Sequence, residues 1–161
     1  MLYDITREIN PSLAVWPGDA PFSFDHPLKL AQGAAVNLTT LHLSAHTGTH
    51  ADAYFHYAAG GAHPLGMPLD AYIGPARVVS VARHDGPLTP ADFPGLDLDG
   101  TPRLLVRSHV SDLPGDTWPQ AFPYLSIDLI GWLAGMAAAS SGWTRLRWMR
   151  STVPIYRATT R

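Results

Sequence analysis

The stretch His46-Thr47-Gly48-Thr49-His50-Ala51-Asp52-Ala53-Tyr54-Phe55-His56 constrains this chain more than any other. Three imidazoles and a carboxylate fall within eleven positions, all of them at even numbers. In an extended strand successive side chains alternate faces, so His46, His50, Asp52 and His56 project to one side. Gly48 shares that side and places no side chain between the two nearer histidines. Thr47, Thr49, Ala51 and Ala53 make an opposite face suited to packing. A helix would also align His46 with His50, but a glycine and two threonines make a poor helix interior. The spacing predicts a strand running into a loop, with a metal site on its ligand-bearing face. A histidine-rich surface strand is the competing reading, and for any single histidine it would win. Four ligand-type side chains on one face favour the metal.

Composition narrows the donors. None of the 161 residues is cysteine, so disulfides, thiolate zinc sites and a cysteine nucleophile are excluded, leaving imidazole and carboxylate. The formal net charge of -2 gives no support to a nucleic-acid partner or a polybasic membrane surface. No apolar run reaches the roughly 18 to 20 residues of a membrane span. The start Met1-Leu2-Tyr3-Asp4 lacks the basic end and apolar run of a signal peptide, so cytoplasmic residence is expected. A hydrophobic content of 46% fits one globular domain.

Along the chain, residues 2–9 alternate loosely and predict a first strand, ended by Asn10-Pro11. Trp16-Pro17-Gly18-Asp19 is a rigid turn presenting a large aromatic, which reads equally as a core anchor or a pocket wall. Residues 22–30 predict a short strand broken by Pro27, and residues 36–44 a strand leading into the histidine motif. The turn-rich segment 58–64 follows; its His63 reads as a solvent-facing loop residue rather than a further ligand. A helical turn is predicted at 68–72 and a buried strand at 78–81. Residues 85–100 read as loop with one helical turn at 89–93, and 103–107 as a strand ending near His109, which reads as a capping or surface residue. Residues 118–124 read as an irregular packed loop. Ser126 is placed to cap a helix with Leu129, Ile130 and Leu133 as its apolar stripe, ending near Gly135. Strands interleaved with few helices predict a mixed α/β fold.

The motif His46 to His56, written H-T-G-T-H-x-D-x-x-x-H, resembles the hallmark of the metal-dependent cyclase family. Trp16-Pro17-Gly18-Asp19, Tyr72-Ile73-Gly74-Pro75-Ala76 and residues 122–133 agree with it, so the resemblance covers residues 1 to about 135. It implies a single-domain swivelling β/β/α architecture, a homodimer and a two-zinc site. It also implies hydrolysis of a small-molecule substrate, N-formyl-L-kynurenine, to L-kynurenine and formate in tryptophan degradation. On that resemblance His46, His50 and Asp52 would bind one zinc, Asp52 would bridge to a second, His56 would be the acid/base, and Trp16 would contact the substrate's ring. The chemistry suits these residue types. Zinc brings the pKa of water toward ~7, and a histidine titrating near ~6.5 can move a proton from water to the leaving aniline nitrogen.

Two features depart from the family pattern. Tyr54 stands where a proline is usual, which should loosen the turn without removing a ligand. The family's further histidine and bridging glutamate have no counterpart, since no histidine follows His109 and no acidic residue follows Asp128. Residues 136–161 carry five of the ten arginines and no sustained period, an atypical tail expected to be out of frame. Restoring one base just before Met136 allows GC-rich codons to read as the family's G-x-D-x-P segment followed by a histidine. His46, His50 and Asp52 would then hold one zinc with an open position. Two other readings keep the motif: a hydrolase of another amide or isatin-like cyclic amide, and a metal-binding remnant without turnover.

Overall fold

The computed structural model describes residues 4–69, 72–99, 101 and 103–139, with side chains as far as Met136 in the final helix. These residues group into two compact units, one from Thr6–His50 with Leu113–Trp118, the other mainly from Ala51–Asp112 and the chain beyond Pro119. The elements are mixed strand and helix, as the residue pattern predicts. Among the described residues no helix is long and apolar enough to cross a membrane.

The first unit is built on an antiparallel pair, β1 (Ser23–Leu28) and β2 (Leu38–His42). The register slips between Asp25 and Leu28, where Pro27 has no N–H to offer the ladder. Cross-strand side chains tie the pair together. His42 Nε2 lies 2.9 Å from Asp25 Oδ2, and His26 Nδ1 lies 3.0 Å from Thr39 Oγ1. The strand expected over residues 2–9 is absent from its described part, 4–9. Its backbone is committed elsewhere: Arg7 N–H donates to Thr49 Oγ1 at 2.8 Å, so that strand pairing is replaced by a clamp on the histidine motif. Leu13 is buried behind this clamp, and Ala14 N–H donates to the Gly115 carbonyl at 2.9 Å.

The second unit contains the core. β3 (Ala76–Ser80) pairs in parallel with β5 (Arg103–Arg107), and β4 (Gly86–Leu88) in parallel with β6 (Pro123–Leu125). Val79 and Val106 are register partners that turn toward the core, as does Leu104, while Val78 and Leu105 point outward. The predicted buried strand is therefore half-buried, with the alternation of a one-faced sheet. Residues 118–124 are less irregular than expected, since Pro123 opens β6.

Helix α1 (Ile127–Ala139) begins where Ser126 Oγ accepts the Leu129 N–H at 3.0 Å, the N-cap bond predicted for it. Leu129 and Leu133 are fully buried against Leu88, Phe93 and Leu98, with Trp132 and Met136 packed beside them. The stripe at 129, 132, 133 and 136 has helical spacing, and it uses Trp132 in place of the expected Ile130. The helix runs through Gly131 and Gly135 rather than ending near Gly135. Glycine stops a helix by turning left-handed; neither of these residues does so. The predicted helical turn near residue 90 is present as a 3-10 turn, Pro90–Asp92, closed by a reciprocal Thr89–Asp92 capping box. Residues 70 and 71 of the predicted turn at 68–72, and 140–161 of the atypical tail, lie outside the described residues.

Candidate metal centre

The histidine motif is not a strand. β2 ends at His42, and residues 45–49 form a succession of turns and bends. Gly48 makes this path possible with φ +67, a left-handed conformation that L side chains rarely adopt. A methyl group there would also meet Ile9 Cγ1 at 3.0 Å, so the glycine serves the fold twice. Thr47 is buried, and Thr49 takes the Arg7 N–H described above.

The turn nonetheless brings the expected donors together. One ligand atom each from His46, His50 and Asp52 lies within 4.8 Å of the others. Each of the three side chains is partly buried. His50 Nδ1 stands 2.9 Å from the Gly48 carbonyl, which can only accept, so Nδ1 carries the proton and Nε2 presents its lone pair. That bond fixes both tautomer and ring orientation, as outer-shell bonds to metal-ligating histidines do. His46 Nδ1 lies 3.2 Å from His50 Nε2. Two nitrogens each about 2.05 Å from a tetrahedral ion stand roughly 3.3 Å apart, so this spacing fits such an ion. Asp52 adds a hard oxygen donor, and its Oδ2 accepts a 2.5 Å hydrogen bond from the Tyr57 hydroxyl. The donor set therefore fits a divalent metal ion.

His56 is not one of this group. It ends a 3-10 turn, Tyr54–His56, and its exposed ring stands edge-on to Tyr57 with centroids 4.4 Å apart. The turn is closed by His56 N–H to Ala53 O at 2.9 Å and Tyr57 N–H to Tyr54 O at 3.1 Å, so it forms with tyrosine at the position where proline was expected. His63 stacks on Phe55 at 4.3 Å and His109 on His84 at 4.5 Å; neither joins the donor group.

Trp16 sits in its predicted turn, closed by Asp19 N–H to Trp16 O at 2.9 Å. It is 49% exposed, which removes the core-anchor reading, and its ring meets Trp118 in an edge contact at 5.4 Å. The Asp19 carboxyl is held below its ordinary 3.8, first by the Ser44 hydroxyl and then by the Ala20 N–H. Ser44 Oγ in turn accepts the His46 N–H at 3.2 Å. The tryptophan turn is thereby tied to the start of the motif. Sequence reasoning missed Tyr57 and Trp118. Nothing in the even-numbered spacing pointed to Tyr57, an odd-numbered residue, and Trp118 is separated from Trp16 by most of the chain.

The Cyclase family model matches residues 3–143. The chain belongs to the cyclase family. Among its relatives, the kynurenine formamidase of Maricaulis maris is 37% identical over 133 residues, covering 83% of this chain and 63% of that protein. The kynurenine formamidase of Erythrobacter litoralis is 35% identical over 133 residues, 83% of this chain and 60% of its own length. That of Bacillus cereus is 34% identical over 131 residues, 81% and 62% respectively. The chain thus spans somewhat less than two thirds of these relatives. Two solved structures share its fold. A potential metal-dependent hydrolase with cyclase activity superposes with a TM-score of 0.66 at 23% identity, covering 83% of this chain and 62% of that one. A predicted metal-dependent hydrolase from Bacillus stearothermophilus superposes at 0.64 and 24% identity, covering 83% and 63%.

Proposed function

We propose that this chain is a zinc-dependent arylformamidase that hydrolyses N-formyl-L-kynurenine to L-kynurenine and formate. The observation that carries the reading is the convergence of His46, His50 and Asp52 donor atoms within 4.8 Å in a cyclase-family motif. The kynurenine formamidase relatives supply the substrate class.

In this reading His46, His50 and Asp52 would hold one zinc ion. The ion would supply acidified water and offset charge developing on the formamide oxygen. His56, exposed on the turn that follows, accepts the proton of the attacking water and delivers it to the nitrogen as the carbon–nitrogen bond breaks. Trp16, braced by Trp118 and half open to solvent, takes the aromatic ring of the substrate. The swivelling β/β/α architecture and a homodimer belong to the same proposal. Exposed Phe24, Leu28, Leu38 and Leu41 on β1 and β2 support an apolar contact surface. The second zinc of the two-zinc expectation requires donors beyond these three. The out-of-frame reading of the tail belongs with it, and the DNA sequence around codon 136 tests that part.

The test of function is release of L-kynurenine from N-formyl-L-kynurenine by the purified chain, with zinc and with a chelator. Chelator-sensitive turnover supports the proposal. Activity confined to cyclic amides favours the isatin-like reading, and zinc binding without turnover favours the remnant.

A further inference from the structure

We propose that Tyr57 is a positioning residue of the metal centre, holding the Asp52 carboxylate in its ligating orientation through the phenol hydroxyl. The inference rests on the metal reading above and concerns a residue outside the ligand set. Three observations carry it. First, the Tyr57 hydroxyl donates to Asp52 Oδ2 at 2.5 Å. A hydroxyl donating to an ionised carboxylate makes a charge-assisted bond, stronger than one between neutral partners. Second, a carboxylate offers about four lone-pair sites on two oxygens. One can take the phenol while others remain for an ion, so the bond orients Asp52 without consuming it. Third, the backbone of Tyr57 is fixed: its N–H closes the 3-10 turn on Tyr54 O at 3.1 Å, and the same turn displays His56 against the tyrosine ring.

The tyrosine therefore couples a proposed ligand to the proposed acid/base within six residues of chain, Asp52 to Tyr57. A phenylalanine would keep the ring and its edge contact with His56. Only the oxygen distinguishes the two, and the oxygen is what reaches Asp52. Without it the carboxylate must be ordered when the ion binds, at a cost to affinity.

The test is zinc affinity by competition with a chromophoric chelator, measured on the full chain below the melting range of every variant. Tyr57→Phe should bind zinc about 10- to 100-fold more weakly, the usual loss when an outer-shell partner is removed. The metal-free protein should melt only a few degrees lower, the cost of one hydrogen bond, and remain folded at the assay temperature. In an Asp52→Asn background the same substitution should change affinity less than about twofold, because its effect passes through the carboxylate. Wild-type affinity in Tyr57→Phe overturns the proposal and leaves the metal reading standing. Equal losses in both backgrounds overturn it too, marking a general structural effect. A wild-type chain that binds no zinc removes the metal reading, and this inference with it.

Discussion

Replacing Gly61 with alanine puts a methyl carbon into space already taken by backbone. A Cβ at that position would lie 2.5 Å from the Tyr54 carbonyl carbon, 2.5 Å from its oxygen and 2.7 Å from Phe55 N. Ordinary contacts of this kind begin at 3.4 Å. The two segments must therefore separate by roughly 1 Å, and neither can do so freely. Gly61 N–H donates to Ala58 O at 2.8 Å, and Phe55 N–H to Ala62 O at 3.1 Å, so the loop is stitched to the turn from both sides. Overpacking of this kind costs about 1 to 3 kcal/mol. The turn that moves is the one carrying His56, the proposed acid/base, and a displacement of about 1 Å at such a group can lower the rate by about 10²-fold. Gly61→Ala should therefore lose about two orders of magnitude in kcat/KM on N-formyl-L-kynurenine while zinc affinity changes less, since His46 and His50 precede the turn. Gly66→Ala is the control: its Cβ meets only the Ala62 methyl at 3.2 Å. Urea denaturation and steady-state kinetics of both variants decide the matter. A Gly61→Ala protein with wild-type stability and rate would refute the reasoning.

Leu133→Ala removes a fully buried side chain from the α1 stripe and should lower unfolding free energy by about 2 to 5 kcal/mol in urea titration, against about ±0.5 kcal/mol for a change at exposed Ile127. His50→Ala should abolish stoichiometric metal in the purified chain, read by elemental analysis, because it deletes the donor whose tautomer Gly48 O sets. The Asp92 carboxyl is held below its ordinary value, mainly by the Thr89 N–H, with the Arg83 guanidinium and the Thr89 hydroxyl helping. A lowered folded-state pKa stabilises the protein above the unfolded value of about 3.9 and is lost as pH falls through the folded value. Asp92→Asn should therefore narrow the difference in urea midpoint between pH 6 and pH 3; an unchanged difference would count against that assignment.

Much of the fold was legible where local chemistry and tertiary packing agree. The run Arg103 to Arg107 became β5 with its predicted bounds, and Ser126 capped α1, because a compact β-rich run and a side-chain cap act at short range. The helix end was not legible, since Gly135 is a stop only if its φ turns positive. Residues 4–9 look like a strand by alternation, yet Arg7 spends its N–H on Thr49, a partner 42 positions away that periodicity cannot reveal. The candidate metal centre is the instructive case. Even-numbered spacing pointed to His46, His50 and Asp52 through a strand that does not exist. A left-handed Gly48 folds the same residues together by another route, so the grouping of the three side chains was legible and the strand offered as its reason was not. His56 fell on the same parity and is not part of the cluster, as a turn keeps no pleat.

The central claim, that the His46–Asp52 turn is a metal centre, is tested most directly by anomalous diffraction at the zinc edge from crystals of the zinc-loaded chain. The account predicts a peak about 2.0 to 2.2 Å from one nitrogen each of His46 and His50 and from an Asp52 oxygen. No peak at those side chains, or zinc bound only elsewhere on the chain, would contradict it.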